Sequence, residues 1–581
     1  TIDLKGLPNI YSGLFSLLLI IYYFIYSSVN NRTKIINFVF LVFMLLSFSI
    51  NYLDYLWHGF RFPNDIPFRF AFIYSFYLIT LAFQAFQHQH EITQWPNKSI
   101  LQLMGILAAF FFISEKIYDG VIDRQIFYLS LIVVLLYFVI LLMHKNHLLS
   151  RKVFLAVLCC IVLGETSASA LNRIIQFSPR DHYPRLQRET LEMLEELKSY
   201  EQDFFRIEML NSYTANDPIL YAYNGLSQFS STANDNYMEI LQKLGFPARG
   251  NTYRYSLTSP VGNAMFAIQY LIDHGKYLNP VNAGLELLKQ DESIAVYQNL
   301  FHLPLGFMVD SGIDDWELNL ENPFQVQESF VSNAFNEEII LFDIIERKNI
   351  DLNNGALIEE KGMRYRFEAI DDSKEVVADV MLTVPETHQV YLYFRSSLRS
   401  ASVVAKVSEI ERTYFIDDRG ETMDFGILEA GTEIDLTITF PSAEKGFFDL
   451  QAVTFHEEPF MHVYEILNRN TMEINGFSET YIDAVVETDR DGRLFTSIPY
   501  EKGWKATVNG APADILPLKN AMITIPLTKG THHVELNYFP AGLKLGMIVS
   551  GCSVLIFLVV FLISKKKANS DGMESSQDEL K

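Results

Sequence analysis

Asp54-Tyr55-Leu56-Trp57-His58-Gly59-Phe60-Arg61-Phe62-Pro63-Asn64-Asp65-Ile66-Pro67-Phe68-Arg69 separates two segments that are almost free of charge. It packs two arginines, two aspartates, a histidine, a tryptophan and two prolines into sixteen residues. A plain membrane hairpin needs only a few turn residues, so this stretch reads as a bilayer-surface loop equipped to grip something anionic and partly apolar. The runs around it decide the fold. Before residue 175 they cover roughly 9–29, 34–53, 67–87, 99–115, 125–143 and 152–173, and a seventh covers 541–564. Each is near the ~20 residues a helix needs to cross a bilayer. Runs this long satisfy their backbone in lipid as helices.

The 581 residues are 49% hydrophobic, and a net charge of −23 excludes the basic footprint of a nucleic-acid binder. Cys159, Cys160 and Cys552 all fall within spans, leaving neither a disulfide framework nor a thiolate metal site elsewhere. The chain starts at Thr1 without a cleavable signal, which reads as a fragment whose front was removed.

Lys565-Lys566-Lys567 after the last span assigns residues 565–581 to the cytoplasm as a tail. The basic loop from His144 to Lys152 is assigned inside as well. Residues 174–540 then fall outside, and so does the 54–69 loop, although charge bias would not choose Arg61 and Arg69 there. Those arginines read either as surface partners of Asp54, Asp65 or lipid phosphate, or as forks that capture phosphate beside aromatic walls. His58 reads as structural or as a proton relay. Glu165 is the ionisable residue embedded within a span, and a carboxylate at that depth faces a partner or a cavity. His88-Gln89-His90-Glu91 lacks the i, i+4 histidine spacing of a helical zinc site and reads as polar loop.

Beyond the six spans of residues 1–175, residues 176–349 read as an extracytoplasmic α/β domain. Leu186, Leu191, Leu194 and Leu197 space a helix over 184–200, Phe205 to Glu208 alternates like a strand, and further helices are expected at 234–244 and 282–290. The run Asn216 to Thr232 is dense in amides, hydroxyls and tyrosines. Asn216, Asp217, Tyr221, Tyr223, Asn224 and Gln228 suit carbohydrate, amides meeting sugar hydroxyls and phenol faces meeting C–H faces; a loop docked on its own domain is the alternative. Short alternating strands fill a β domain at 350–465 and a second, β-sandwich-like domain at 466–540, with a hairpin turn expected at Asp491-Gly492 and Trp504 in the core. No nucleophile elbow, phosphate loop, dinucleotide fingerprint or complete calcium loop appears, and no metal set is identified.

Several stretches resemble the YfhO family of bacterial membrane proteins: Pro8 to Gly13, Trp57 to Phe60 with Pro63-Asn64 and Pro67 to Phe70, Glu165, Asn216 to Pro218 through Ser230 to Thr232, Leu303 to Phe307, and Ile498 to Tyr500 with Gly503-Trp504. The resemblance implies a GT-C-type glycosyltransferase that takes sugar from a polyprenyl phosphate at the outer face of the membrane. It would pass the sugar to a cell-wall glycopolymer such as lipoteichoic acid. The key acidic residue of such enzymes lies in an early outer loop, which the resemblance places upstream of Thr1. Arg61 and Arg69, with His58 and Trp57, would then sit at the donor phosphate, where departing charge needs cations, and Glu165 would support them. No cofactor is identified; a divalent cation supplied with the upstream part stays open. Partners would be the lipid-linked sugar, the polymer and membrane lipids. Two other classes remain: a non-enzymatic envelope protein that binds glycans or organises a complex, and a lipid-linked glycan exporter, for which repeat symmetry and many charged spans would be expected.

Overall fold

A computed structural model describes residues 8–25, 27–61, 67–87, 97–117, 124–175, 183–200, 204–210, 212–274, 278, 282, 284–290, 294–416 and 418–578. The chain divides into two compact units, Thr1–Leu186 and Gln187–Lys581.

The first unit is helical: α1 (Leu14–Ile25), α2 (Asn31–Ser47), α3 (Asn51–Trp57), α4 (Ala71–Gln87), α5 (Asn97–Ile117), α6 (Arg124–Lys145) and α7 (Arg151–Ile175). Asn30 caps α2 by accepting the Arg32 N–H at 2.9 Å. The apolar run 34–53 is not one straight rod, because α2 and α3 meet at 100°. At the bend Phe48 stacks on Phe70, ring centroids 5.0 Å apart. By length and composition α6 and α7 suffice to cross a membrane, α2 with α3 does so as a bent pair, and α1 and α4 are shorter apolar helices. Tyr22, Tyr23, Met44 and Tyr137 are buried between helices, whereas Phe72, Phe76 and Phe83 on α4 stand exposed. An apolar outer surface of this kind belongs to lipid-facing helices. Asn37 ties three helices together: its amide donates to the Tyr23 hydroxyl at 2.6 Å and accepts from the Tyr77 hydroxyl at 2.7 Å.

An amphipathic helix, Tyr183–Tyr200, runs across the division into the second unit, where its Met193, Leu194 and Leu197 are buried. They pack on Ile207 and Met209 of the strand Arg206–Leu210. That strand lies at the edge of a four-stranded sheet, parallel to Ile268–His274, followed by Ile294–Asn299 and Leu285–Gln290. The helix expected at 282–290 is therefore a strand over Leu285–Gln290. Leu287 and Leu288 adjoin in sequence and imitate part of a helical stripe, yet both are exposed on an outer strand paired only along Ile294–Asn299. The helix expected at 234–244 forms as Asp235–Lys243.

Two antiparallel β layers follow. One sheet runs Arg347–Asn353, Val376–Thr383, Glu433–Phe440, Ala401–Val407 and Ile410–Ile416; the other carries Arg364–Ala369, Lys445–Phe455, His388–Ser396 and Glu421–Leu428. Phe367, Phe394, Phe440 and Phe448 share one core with Ile434, Leu436 and Ile438, as alternating strands of facing sheets require. Arg364 grips the buried Asp449 through two hydrogen bonds of 2.6 and 2.8 Å.

The last β layers comprise a five-stranded sheet, with Gly530–Tyr538 in the middle, and a four-stranded one completed by Gly306–Val309 from far upstream. The Asp491-Gly492 turn is not a hairpin. The strand before it, Tyr481–Thr488, lies in the five-stranded sheet, and the strand after it, Gly492–Pro499, lies in the other. The turn is a corner between layers, where the Thr488 hydroxyl donates to the Arg490 carbonyl at 2.9 Å. Trp504 is half-buried against Tyr538, centroids 5.1 Å apart. A long helix, Leu543–Asp578, ends the described chain, and its stretch Leu543–Lys566 is apolar enough to cross a membrane.

Candidate functional site

The loop that interrupts the spans begins on α3. Asp54 is only 1% exposed, and among the described residues its side chain faces His58 rather than an arginine. His58 Nδ1 lies 2.8 Å from the Asp54 carbonyl oxygen and 3.4 Å from its Oδ1. An Nδ1–H held by a backbone carbonyl leaves Nε2 as the basic nitrogen; that atom is buried without a hydrogen-bond partner among the described residues. Trp57 stacks on Phe70 at 5.0 Å, extending the Phe48–Phe70 stack. Gly59 and Phe60 both take positive φ, 67° and 64°, and Arg61 follows them exposed at the surface. Arg69 is exposed too, next to Phe68 at φ 60°. Residues 62–66, with Asp65, and the His88–Glu91 stretch lie outside the described residues.

Glu165 faces partners rather than open space. The Leu14 N–H, at the first turn of α1, donates to Glu165 Oε1 at 2.7 Å, and the Tyr11 hydroxyl donates to the same oxygen. The Tyr137 hydroxyl of α6 donates to Oε2 at 2.6 Å. A carboxylate at a helix N-terminus is favourable both for the free N–H groups and for the helix dipole. Glu165 thus joins α1, α6 and α7.

The Asn216–Thr232 run divides in two. Asp217 is buried and accepts the Tyr213 and Thr214 N–H groups at 2.7 and 2.9 Å and the Thr214 hydroxyl at 2.8 Å. Asn216 Oδ1 accepts the Phe229 N–H at 2.7 Å, and Tyr221 packs in the core beneath the Tyr183–Tyr200 helix. These three residues build the loop. Tyr223, Asn224 and Gln228 line a cavity of about 430 Å³, together with Arg206, Tyr237 and Tyr253. That volume lies in the range of small-molecule pockets.

Sequence reasoning missed Arg206, Tyr237 and Tyr253. Arg206 is 8% exposed, and its Nη1 donates to the Phe266 carbonyl and the Ser497 hydroxyl, both at 2.7 Å. Desolvation lowers its pKa. Glu208, two residues on and on the same strand face, is tied up by the Leu226 N–H, the Ser227 N–H at 3.1 Å and the Ser227 hydroxyl at 2.9 Å. Burial pushes its carboxyl up to about 7. The Tyr253 hydroxyl donates to Gln228 Oε1 at 2.6 Å, and burial pushes that phenol up to about 12, so it stays a neutral donor near pH 7. Among the described residues no group of three or more His, Cys, Asp and Glu could hold a metal ion.

Apolar spans, a multi-sheet β region and a long apolar C-terminal helix define a multi-helix membrane protein with large β-rich domains. The sequence matches the family described as bacterial membrane protein YfhO over residues 1–550, and the chain belongs to that family. It is 24% identical over 418 residues to the uncharacterized protein YfhO of Bacillus subtilis (strain 168), an alignment covering 66% of this chain and 46% of that protein. The chain therefore spans about half the length of this curated relative. Among solved structures, the arabinofuranosyltransferase AftD from Mycobacteria, R1389S mutant, is similar at 12% identity and TM-score 0.13 over 29% of this chain and 14% of that one. A family two carbohydrate esterase from Cellvibrio japonicus is similar at 11% identity and TM-score 0.15, over 20% and 32%. Likenesses this partial carry no argument about activity.

Proposed function

We propose that this chain is the polymer-handling part of a membrane glycosyltransferase working at the outer face of a bacterial membrane, with residues 174–540 on that side. The donor is a sugar on a polyprenyl phosphate, and the acceptor is an envelope glycopolymer of the lipoteichoic acid class. One observation carries the reading: the 430 Å³ cavity walled by Tyr223, Tyr237 and Tyr253 with Asn224 and Gln228 at its edge. Aromatic faces and amides are the side chains that meet the two surfaces of a sugar ring. In the transfer step an acceptor hydroxyl bonds to the anomeric carbon as the bond from that carbon to the phosphate oxygen breaks. The electron pair leaves with the polyprenyl phosphate, beside the exposed Arg61 and Arg69, which offset its charge. The base that takes the hydroxyl proton is not assigned to a residue of this chain.

A glycan-binding membrane protein without transferase activity is the second reading, favoured by the structural role of Glu165, whose carboxylate accepts three hydrogen bonds from within the helical unit. Mass analysis of envelope polymers from a deletion strain, with and without the whole gene restored, tests the first. Loss and recovery of a hexose on the polymer is expected; identical polymer masses in all strains would sink it.

A further inference from the structure

Arg206 is a cation buried in the wall of the cavity without a carboxylate within ion-pair reach among the described residues. Its protein partners are neutral oxygens: the Phe266 carbonyl, the Ser497 hydroxyl and, at 3.4 Å, the Ser497 carbonyl. Glu208 attracts the guanidinium from the same strand face, but its oxygens are committed to Leu226 and Ser227 and burial pushes its carboxyl up to about 7, so it offsets the charge only in part. The Phe204 ring, 5.4 Å from the guanidinium carbon, adds only a weak electrostatic complement. A buried charge that is only partly offset is costly, and a ligand of opposite sign would relieve that cost. The groups around it point the same way. The Tyr237 hydroxyl donates to the Ser497 carbonyl at 3.4 Å, beside the guanidinium, and the Tyr253 hydroxyl donates to Gln228 Oε1 at 2.6 Å, so both phenols are held in the lining of the cavity. A planar guanidinium matches the oxygens of a phosphate or carboxylate.

We infer that this cavity selects a glycan unit bearing an anionic group, phosphate or carboxylate, with Arg206 as the residue that reads the charge and the tyrosines as the walls that hold the polyol or sugar. The inference rests on the glycan reading above and sharpens it from sugar to charged sugar. It also divides the work: the Arg61 and Arg69 loop meets the lipid-linked donor, and the Arg206 cavity meets the polymer.

The test is calorimetric titration of the full chain in detergent with glycerol 1-phosphate, glucuronate, glycerol and N-acetylglucosamine. The two anions are expected to bind at least tenfold tighter than the neutral probes and to weaken as salt rises. Their ranking shows whether phosphate or carboxylate is preferred. Arg206→Gln should abolish the tenfold preference. Because that buried change endangers folding, Asn224→Asp at the exposed edge provides a second arm, expected to weaken the anions severalfold by like-charge repulsion. Equal affinity for anionic and neutral probes overturns the charge assignment and leaves the glycan reading standing. Absence of binding by all four overturns both. Anion binding that Asn224→Asp does not weaken overturns the location.

Discussion

Tyr137 donates its hydroxyl to Glu165 at 2.6 Å, while the other oxygen of that carboxylate takes the first-turn N–H of Leu14 at 2.7 Å. One acidic side chain therefore fastens α7 to α6 and to the start of α1. Glu165→Gln keeps the shape but loses charge-assisted bonds, each worth about 1.5–3 kcal/mol. Thermal unfolding in detergent should show a clear loss of stability, with a smaller loss for Tyr137→Phe and a coupled double mutant. Lost polymer glycosylation at unchanged stability would instead give Glu165 a chemical role.

Arg61→Ala and Arg69→Ala, introduced into the whole-length protein, should each reduce polymer glycosylation at least tenfold without loss of membrane insertion, if the pair faces the donor phosphate. Polymer mass spectra alongside membrane-fraction immunoblots read both quantities. Normal glycan content in both variants would return the arginines to a lipid-contact role.

Asp217 is buried with three donors on it, so Asp217→Ala strands two backbone N–H groups and a hydroxyl. A loss of about 2–4 kcal/mol is expected from unpaired buried groups, read by chemical denaturation of the β-rich unit. The affected loop also carries Tyr223 and Gln228, so glycan binding should fall with it.

Two buried carboxyls give the second unit a defined pH response. Burial pushes Glu208 up to about 7 and Asp424 up to about 6, from ordinary values of 4.5 and 3.8. Between the ordinary and the raised value the folded state holds more protons than the unfolded one. These groups therefore contribute stability at low pH that is lost as pH rises, through about 4 to 6 for Asp424 and about 4.5 to 7 for Glu208. Asp424→Asn and Glu208→Gln should each flatten the fall over its own window in denaturation curves taken at a series of pH values. An unchanged slope in both would refute the raised pKa values.

The parts of this fold that were legible are those whose pattern is local. Leu194 and Leu197 mark the Tyr183–Tyr200 helix because one face meets a sheet and the other meets water. The strand around Leu436 shows its alternation for the same reason. Arg206 was hidden for the opposite reason. Phe205-Arg206-Ile207-Glu208 alternates as though one face were wet, yet both faces are covered. The available clue was a charged pair at i and i+2 directly after Phe204-Phe205; the partner at Ser497 lies 291 residues away and leaves no local trace. Tyr221 and Tyr223 look alike in sequence and both pack in the core beside the Tyr183–Tyr200 helix; that Tyr223 also lines the cavity leaves no local trace. At Asp491-Gly492 the turn chemistry suggested a hairpin, and the strand that follows joins the other sheet instead. Whether the reversed strand rejoins its own sheet depends on strand pairings far outside the turn.

Residues 539–542 separate the middle strand of the last sheet from the apolar helix that begins at Leu543. Five peptide links of ~3.6 Å allow at most about 18 Å between them, and Lys544 lies 5.4 Å from the Phe539 ring across that joint. The sandwich is therefore moored on a short stalk at its central strand, the one whose neighbours grip it on both sides. A pull on the β layers would pass along that strand into the apolar helix.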